Sequence, residues 1–178
     1  MLDLLKKRRS IRQYTKEKLS KEQVERIIKA ALLSPTSRNG RSWEFILVDD
    51  EELLEKLAES KQHGSSFLRE AALGIVVMGN AEITDVWIED ASIAASNIHL
   101  TAASMGLGSC WIQIRERRHD DKQSAGDYIH ELLSIPKEYK ILSILSVGYP
   151  GEEKPPHDEN KLPYAKVHLN KYGESFFA

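Results

Sequence analysis

The stretch Ala72-Leu73-Gly74-Ile75-Val76-Val77-Met78 decides the fold, because it is a continuous apolar run that ends at Gly79-Asn80. A strand with one exposed face alternates apolar and polar residues, whereas a strand covered on both faces is apolar throughout. We therefore expect residues 72–78 to form a buried strand at the centre of a sheet.

Helical patterns lie on both sides of this run in the sequence. Between Ser20 and Leu33, apolar residues recur at helical spacing, and Ser20 with Gln23 forms a capping-box pattern. From Thr84 to Met105, apolar residues surround almost the whole helix, which predicts burial in the core or at a subunit interface.

Other elements complete the predicted order. They are strand Trp43 to Val48, helix Glu51 to Ser60, a short helix Ser66 to Ala71, strand Ser109 to Ile114, helix Asp121 to Leu133 and strand Ile141 to Val147. This order predicts helices and strands arranged in three layers.

The composition predicts one globular domain, residues 1–178, in a reducing compartment. The chain has 178 residues, of which 41% are hydrophobic and 29% charged, and domains of about 100 to 200 residues are typical. Its formal net charge of −2 provides no overall field for nucleic acid or an anionic membrane. The single cysteine, Cys110, excludes an internal disulfide, and no stretch is typical of a signal peptide or a membrane span. We therefore expect a soluble cytoplasmic protein.

Common catalytic templates do not fit the sequence. The segment from Gly106 to Trp111 begins like a dinucleotide-binding fingerprint, but it follows a helix and has Trp in place of the third Gly. There is no P-loop and no serine-hydrolase elbow, and the six histidines lack the paired spacing of a metal site. Each histidine is interpreted as a surface or packing residue, and Cys110 as a buried, inert thiol.

Two polar clusters stand out. Arg8, Arg9, Ser10 and Arg12 place three guanidinium groups and a hydroxyl within five residues, which suits a phosphate group. A solvated basic helix end is the alternative, and composition alone slightly favours it. The second cluster is the polar loop Ser34–Trp43, where side chains could hydrogen-bond the edge of a polar heterocycle or simply form turns. These side chains belong to Ser37, Asn39 and Arg41.

Together the clusters resemble the FMN-dependent nitroreductase family. The matching segments, in order, are Arg8–Tyr14, Pro35–Asn39 with Trp43, Asp90–Ala103 with Gly106–Ile112, Val147–Pro150 and the basic, Pro-rich tail. The resemblance spans nearly the whole chain. It implies an α+β fold of three layers, with a mostly antiparallel central sheet flanked by helices, and an intertwined homodimer with FMN at the interface.

The resemblance also implies roles for individual residues. Arg8, Ser10 and Arg12 would hold the flavin phosphate with Lys161 of the tail, and Arg9 would lie near the ribityl chain. Pro35, Thr36 and Ser37 would line the flavin ring of the partner subunit. Asn39 would face the ring edge or the ribityl hydroxyls, and Arg41 would lie at the ring edge. The backbone near Gln113 and Ile114 would donate to flavin N5, and no side chain would act as a nucleophile. Residues of about 152–178 would wrap the partner subunit.

The implied activity is an NAD(P)H-dependent reduction of small conjugated acceptors such as nitroaromatics, quinones or flavins, by ping-pong transfer of two electrons. The alternatives are a specialised member of the superfamily, similar to a reductive dehalogenase, and a flavin-binding sensor or storage protein without turnover. Several positions depart from the family pattern, among them Ser34, which stands where Ala is common, and Ser42, which stands where Pro is usual. Arg41 stands where Gln is usual, Gln113 where Gly is frequent, and Lys161 where Arg is frequent.

Overall fold

The computed structural model describes residues 1–177, and helices and strands follow one another in the predicted order. The main elements are α1 (Leu2–Lys7), α2 (Lys21–Leu32), β1 (Trp43–Val48), α3 (Glu51–Ala58), β2 (Leu73–Asn80), α4 (Trp87–Ser104), β3 (Gly108–Gln113), α5 (Ala125–Leu133) and β4 (Tyr139–Gly148). Short 3₁₀ helices occupy Ser37–Asn39, Ser66–Glu70, Glu159–Lys161 and Tyr164–Lys166.

The four strands form one sheet in the order β1-β2-β4-β3, and each neighbouring pair is antiparallel. Strand β2 therefore lies between two other strands, and its residues 73–79 are all buried. The central position predicted from the apolar run is confirmed, as is the α+β class with an antiparallel sheet.

Helices cover both faces of this sheet. Ile75 and Val77 of β2 pack in a core with α2 and α4, whereas Val76 and Met78 pack in a second core with α3 and α5. This alternation explains why β2 is apolar at nearly every position, since successive side chains enter opposite cores.

Helix α4 buries only one side within the chain. Its core face includes Ala91, Ala94 and Ile98, each fully buried, whereas Ile93 on the other side is 41% exposed. Contacts within residues 1–177 thus bury only part of the apolar surface that surrounds this helix.

Helix α5 begins at Ala125, four residues later than predicted. The Asp120 side chain accepts hydrogen bonds from the amides of Lys122 and Gln123, which holds that stretch as a turn. Ser124 then caps the helix by accepting from the amide of Asp127. At the start of α2, by contrast, the predicted capping box of Ser20 and Gln23 is present.

A β-bulge in β4 changes which side chains enter each core. Val77 pairs with Ser143 but Met78 pairs with Ile141, so Leu142 is the extra residue. As a result, Ile141 packs in the core with α3 and α5, whereas Leu142 packs in the core with α2 and α4.

Within residues 1–177, no helix combines the length and apolar character needed to cross a bilayer.

Candidate functional site

Two glycines form a groove for the N-terminal segment. Gly108 of β3 and Gly148 of β4 are register partners at one end of the sheet. A Cβ atom on Gly108 would lie 2.8 Å from Ile11 Cβ, and one on Gly148 would lie 2.9 Å from Tyr14 Cδ1. The chain after α1 can therefore lie on the sheet only because both positions lack a side chain.

Hydrogen bonds fix this segment at the edge of β3. Ser10 forms an isolated parallel bridge with Ser109, and the Ile11 amide donates to the Ser109 carbonyl oxygen at 3.1 Å. The Tyr14 hydroxyl donates to the Ile11 carbonyl oxygen at 2.6 Å and lies 2.7 Å from Ser146 Oγ. Burial raises the Tyr14 pKa, so the phenol stays neutral and available for these bonds.

A cleft of about 200 Å³, the N-terminal cleft, opens beside this segment. It is lined by Lys7, Arg8, Arg9, Ile11, Ala103, Gly106, Leu107, Gly108, Ser109, Pro150, Glu152 and Lys154. The lining thus brings four basic side chains against the ends of α4 and β3, with one carboxylate, Glu152, among them.

That carboxylate is already engaged. Glu152 Oε1 accepts from the Arg12 amide at 2.6 Å and pairs with Lys154 Nζ at 3.0 Å. The bond from the Arg12 amide, followed by that from Lys154, lowers the pKa of Glu152. Lys154 Nζ also donates to the Ser10 carbonyl oxygen at 2.7 Å. Glu152 therefore joins the tail to the N-terminal segment while staying ionised.

The residues of the predicted cluster from Arg8 to Arg12 lie together, but not all of their side chains line the cleft. Arg8 and Arg9 line it, and Arg9 Nη1 also donates to the Pro155 carbonyl oxygen. The Arg12 guanidinium lies over the Phe67 ring, 5.8 Å from its centroid. The Cys110 thiol is buried beside them and burial raises its pKa, which fits the inert thiol expected from the sequence.

Two residues near the cleft were missed by the sequence reasoning. Lys154 was one of several basic residues in the tail, and spacing alone did not distinguish it from Lys161. His99 was interpreted as a surface or packing residue, yet its Nδ1 lies 2.7 Å from Ser109 Oγ. Burial, together with the positive charge of Arg8, lowers the pKa of His99 to about 4.

The second predicted cluster is a loop with an unusual backbone. Arg38, Asn39 and Arg41 have φ angles of 50°, 57° and 46°. This left-handed conformation is tolerated by asparagine but is strained for arginine. Such strain persists where surrounding contacts enforce it, and it is frequent at functional sites.

Several contacts hold this loop in place. The Ser37 amide donates to Oδ1 of buried Asp90 at 2.9 Å, and the Arg41 amide donates to Thr36 Oγ1 at 3.1 Å. Arg41 Nε donates to Asn39 Oδ1 at 3.1 Å. Asp90, which the sequence reasoning did not assign to the site, thus connects the loop to α4.

The loop and the cleft are separate within one chain. Asp90 and His99 lie about 13 Å apart along α4, from the rise of an α-helix. For residues 1–177, the lining of the N-terminal cleft does not include Pro35, Thr36, Ser37, Asn39 or Arg41. The chain alone therefore brings together only part of the residue set predicted from the sequence.

The remaining predicted residues have other contacts. Gln113 accepts from Trp111 Nε1 and donates to the Arg115 carbonyl oxygen, each at 2.9 Å. The Ile114 amide donates to the Leu142 carbonyl oxygen at 3.2 Å, so it would have to leave this bond to reach a flavin. The roles of Gln113 and Ile114 at flavin N5 stay predictions.

Lys161 lies in the 3₁₀ helix Glu159–Lys161, with its Nζ 4.0 Å from Asp158 Oδ2. Glu159 pairs with Lys6 of α1 at 3.1 Å, which brings this turn beside the helix that precedes Arg8. Within the described chain, Lys161 is not part of the cleft lining. Its contact with a phosphate stays a prediction.

Comparison with known proteins agrees with the fold and with the family resemblance. A model of the nitroreductase family matches residues 5–64 and 59–149. The chain belongs to the nitroreductase family. A protein of Archaeoglobus fulgidus with the provisional name NADH dehydrogenase/NAD(P)H nitroreductase is 35% identical over 176 residues, covering 96% of this nitroreductase-family chain and 98% of the relative.

Solved structures of the nitroreductase fold superpose closely. An FMN-dependent nitroreductase from Clostridium difficile R20291 has a TM-score of 0.95 at 50% identity, covering 97% of this chain and all of its own. An NADPH:FMN oxidoreductase from Vibrio harveyi, in complex with NAD⁺, has a TM-score of 0.82 at 26% identity. The alignment covers 97% of this chain and 78% of the Vibrio enzyme.

Proposed function

We propose that this nitroreductase-family chain is an FMN-dependent oxidoreductase that uses NADH or NADPH to reduce small conjugated acceptors such as nitroaromatics, quinones or free flavins. In the overall reaction, NADH or NADPH gives up a hydride, and a quinone gains the two electrons and one proton of that hydride together with one proton from solvent to become a hydroquinone. Donor and acceptor would occupy one site in turn, in a ping-pong order.

The N-terminal cleft carries this proposal. Its basic lining, with Arg8 and Arg9, suits the phosphate of FMN because guanidinium groups make forked, charge-assisted bonds to phosphate oxygens. Glu152, the carboxylate in the lining, is paired with Lys154 and so opposes an anion only weakly. Relatives whose names include FMN have the same fold, which supports FMN as the phosphate ester.

When bound, FMN supplies a ring that can take up a hydride and give up two electrons, chemistry that protein side chains do not provide. The chain binds and orients the cofactor. Arg8, Ser10 and Arg12 would hold the phosphate, with Lys154 or Lys161 of the tail, and Arg9 would lie near the ribityl chain. The loop residues Ser37, Asn39 and Arg41 would offer polar groups to the ring edge.

The proposal includes a homodimer, because one chain does not bring loop and cleft together. Residues of about 152–178 would wrap the partner, and the loop of one copy would meet the flavin held by the other. Residues 155–177 are all exposed, among them large apolar side chains. These are Leu162, Tyr164, Val167, Leu169, Tyr172, Phe176 and Phe177.

A cytoplasmic location also belongs to the proposal, since the single Cys110 suits a reducing compartment.

The absorption spectrum of the purified full-length chain tests this function. We expect flavin bands that bleach on anaerobic addition of NADH or NADPH and return when a quinone is added. A protein that binds no FMN would contradict the proposal. Flavin bands that persist with both nucleotides would instead support a flavin-binding sensor or storage protein.

The connection between β2 and α4 bears on the alternative of a reductive dehalogenase-like enzyme. Members of that kind usually carry an added lid over the flavin, according to the family resemblance. Here residues 81–86 alone join the two elements, which leaves little chain for a lid. The general NAD(P)H oxidoreductase is therefore the better proposal.

A further inference from the structure

Within residues 1–177, His99 is the one residue of α4 whose side chain forms a hydrogen bond with β3, the strand beneath the N-terminal cleft. Its Nδ1 lies 2.7 Å from Ser109 Oγ, a short distance for a nitrogen–oxygen hydrogen bond. Ser109 is only 2% exposed, so its hydroxyl is shielded from competing water.

Ser109 is also where the N-terminal segment attaches to the sheet. Its carbonyl oxygen accepts from the Ile11 amide at 3.1 Å, and its backbone forms the bridge with Ser10. Ser109 in β3 thus fixes the position of the segment that carries Arg8, Arg9 and Arg12. The hydrogen bond with His99 of α4 in turn holds Ser109 in place.

The opposite side of the segment has its own contact. Lys154 Nζ donates to the Ser10 carbonyl oxygen at 2.7 Å, so Ser10 is held both by the tail and by Ser109. Charge-assisted binding of a phosphate depends strongly on where the guanidinium groups lie, because forked bonds need a fixed geometry. A shift of Ser109 would move the segment that carries these groups.

We propose that His99 is a positioning residue of the phosphate-binding end of the site: through Ser109 it holds the Arg8–Arg12 segment where it can bind the phosphate of FMN. The inference rests on the proposed function. Loss of His99 should weaken binding of the flavin phosphate and leave binding of the rest of the flavin nearly unchanged. General destabilisation of the protein would weaken both.

Comparison of FMN with riboflavin, which lacks the phosphate, isolates this effect. The dissociation constants of both flavins are measured for the full-length chain and for His99→Leu, His99→Asn and Ser109→Ala. We expect His99→Leu and Ser109→Ala to weaken FMN about tenfold, equivalent to one hydrogen bond of about 1.4 kcal/mol. Riboflavin affinity should change less than about twofold.

His99→Asn is the conservative variant, because an asparagine amide can place a polar group near the position of Nδ1. It should recover most of the FMN affinity. His130→Leu is the matched control, since His130 is also half-buried and bonds a backbone oxygen, that of Ile135, in α5 away from the cleft. It should leave both flavin affinities unchanged.

The outcomes separate this inference from the function on which it rests. If the unaltered chain binds no FMN, the proposed function fails. If it binds FMN but His99→Leu and Ser109→Ala keep the ratio of FMN to riboflavin affinity, the positioning role of His99 is wrong and the function stands. If His99→Leu does not fold, Ser109→Ala alone decides the matter by the same ratio.

Discussion

Lys154 Nζ donates a 2.7 Å hydrogen bond to the carbonyl oxygen of Ser10, which joins the start of the tail to the N-terminal segment across 144 positions of sequence. The same ammonium group pairs with Glu152, whose carboxylate accepts from the Arg12 amide. Lys154 therefore has two effects: it fixes the backbone that carries the arginines, and it adds a positive charge to the cleft.

Replacement of this lysine should weaken flavin binding. We expect Lys154→Met to raise the FMN dissociation constant about tenfold, because a charged hydrogen bond of about 1.5 kcal/mol or more is lost. The substitution also removes the ammonium that pairs with Glu152, so this carboxylate then faces the cleft without its partner cation. Fluorescence titration with FMN measures the change. Lys122→Met, in the exposed turn before α5, is the control, and equal effects of the two variants would contradict the role of Lys154.

Ile11 packs so closely over Gly108 that a side chain at position 108 should destabilise the protein. A methyl group there would lie 2.8 Å from Ile11 Cβ, and Ile11 is buried and held to Ser109 by its amide. We expect Gly108→Ala to lower the free energy of unfolding by about 1 to 3 kcal/mol, as overpacking does, and to weaken FMN binding through displacement of the segment. Urea denaturation measures the first effect.

Gly126 in α5 provides the matched control for this substitution. The nearest atom to a Cβ on Gly126 is Ser124 Oγ at 3.7 Å, an ordinary contact. Because alanine is favoured over glycine in helices, Gly126→Ala should be neutral or stabilise the protein by up to about 1 kcal/mol. A loss of stability at Gly126 equal to that at Gly108 would show that the groove is not the cause.

How far the sequence alone predicts this protein depends on the range of the interactions involved. The apolar run 72–78 enters two cores at once, so its composition alone places it at the sheet centre. The capping box at Ser20 is equally local and was predicted correctly. The bulge at Leu142 was not, because it lies in the pairing of β4 with β2, a strand that is far away in the sequence.

The candidate site shows the same division. The arginines at 8, 9 and 12 are close in sequence, and their chemistry is visible there. Asp90 and Lys154 join the site through contacts over 53 and 144 positions, to Ser37 and Ser10. His99 contacts Ser109, 10 positions further on, across the turn between α4 and β3. No spacing rule relates these pairs, so the sequence could not distinguish them from ordinary surface or core residues.

The lowered pKa of His99 predicts a loss of stability in acid. The unfolded chain binds a proton at His99 below about pH 6.5, whereas the folded chain does so only near pH 4. Between these values the unfolded state holds more protons, so the free energy of unfolding falls as the pH is lowered from 6.5 to 4. The contribution of His99 is at most about 3 kcal/mol, from the difference of the two pKa values.

Urea denaturation from pH 4 to 7 tests this for the unaltered chain and for His99→Asn, both without flavin. The asparagine does not titrate, so the stability of the two proteins should converge, or cross in favour of the variant, as the pH falls. Parallel curves for the two proteins across this range would mean that His99 is not the group that titrates.

The exposed tail yields the last prediction, which concerns the proposed dimer. Its apolar side chains include Tyr172 at 94% and Phe176 at 57% exposure, a surface that water disfavours and that a second copy of the chain would cover. Removal of residues 167–178 should therefore raise the dimer dissociation constant at least tenfold, as measured by analytical ultracentrifugation. Leu33→Ser, which removes an exposed leucine from the end of α2, is the control and should leave the mass unchanged. If the shortened chain keeps the dimer mass at concentrations where the full chain is dimeric, the tail does not hold the partner, and the site would have to be completed by contacts of α4 alone.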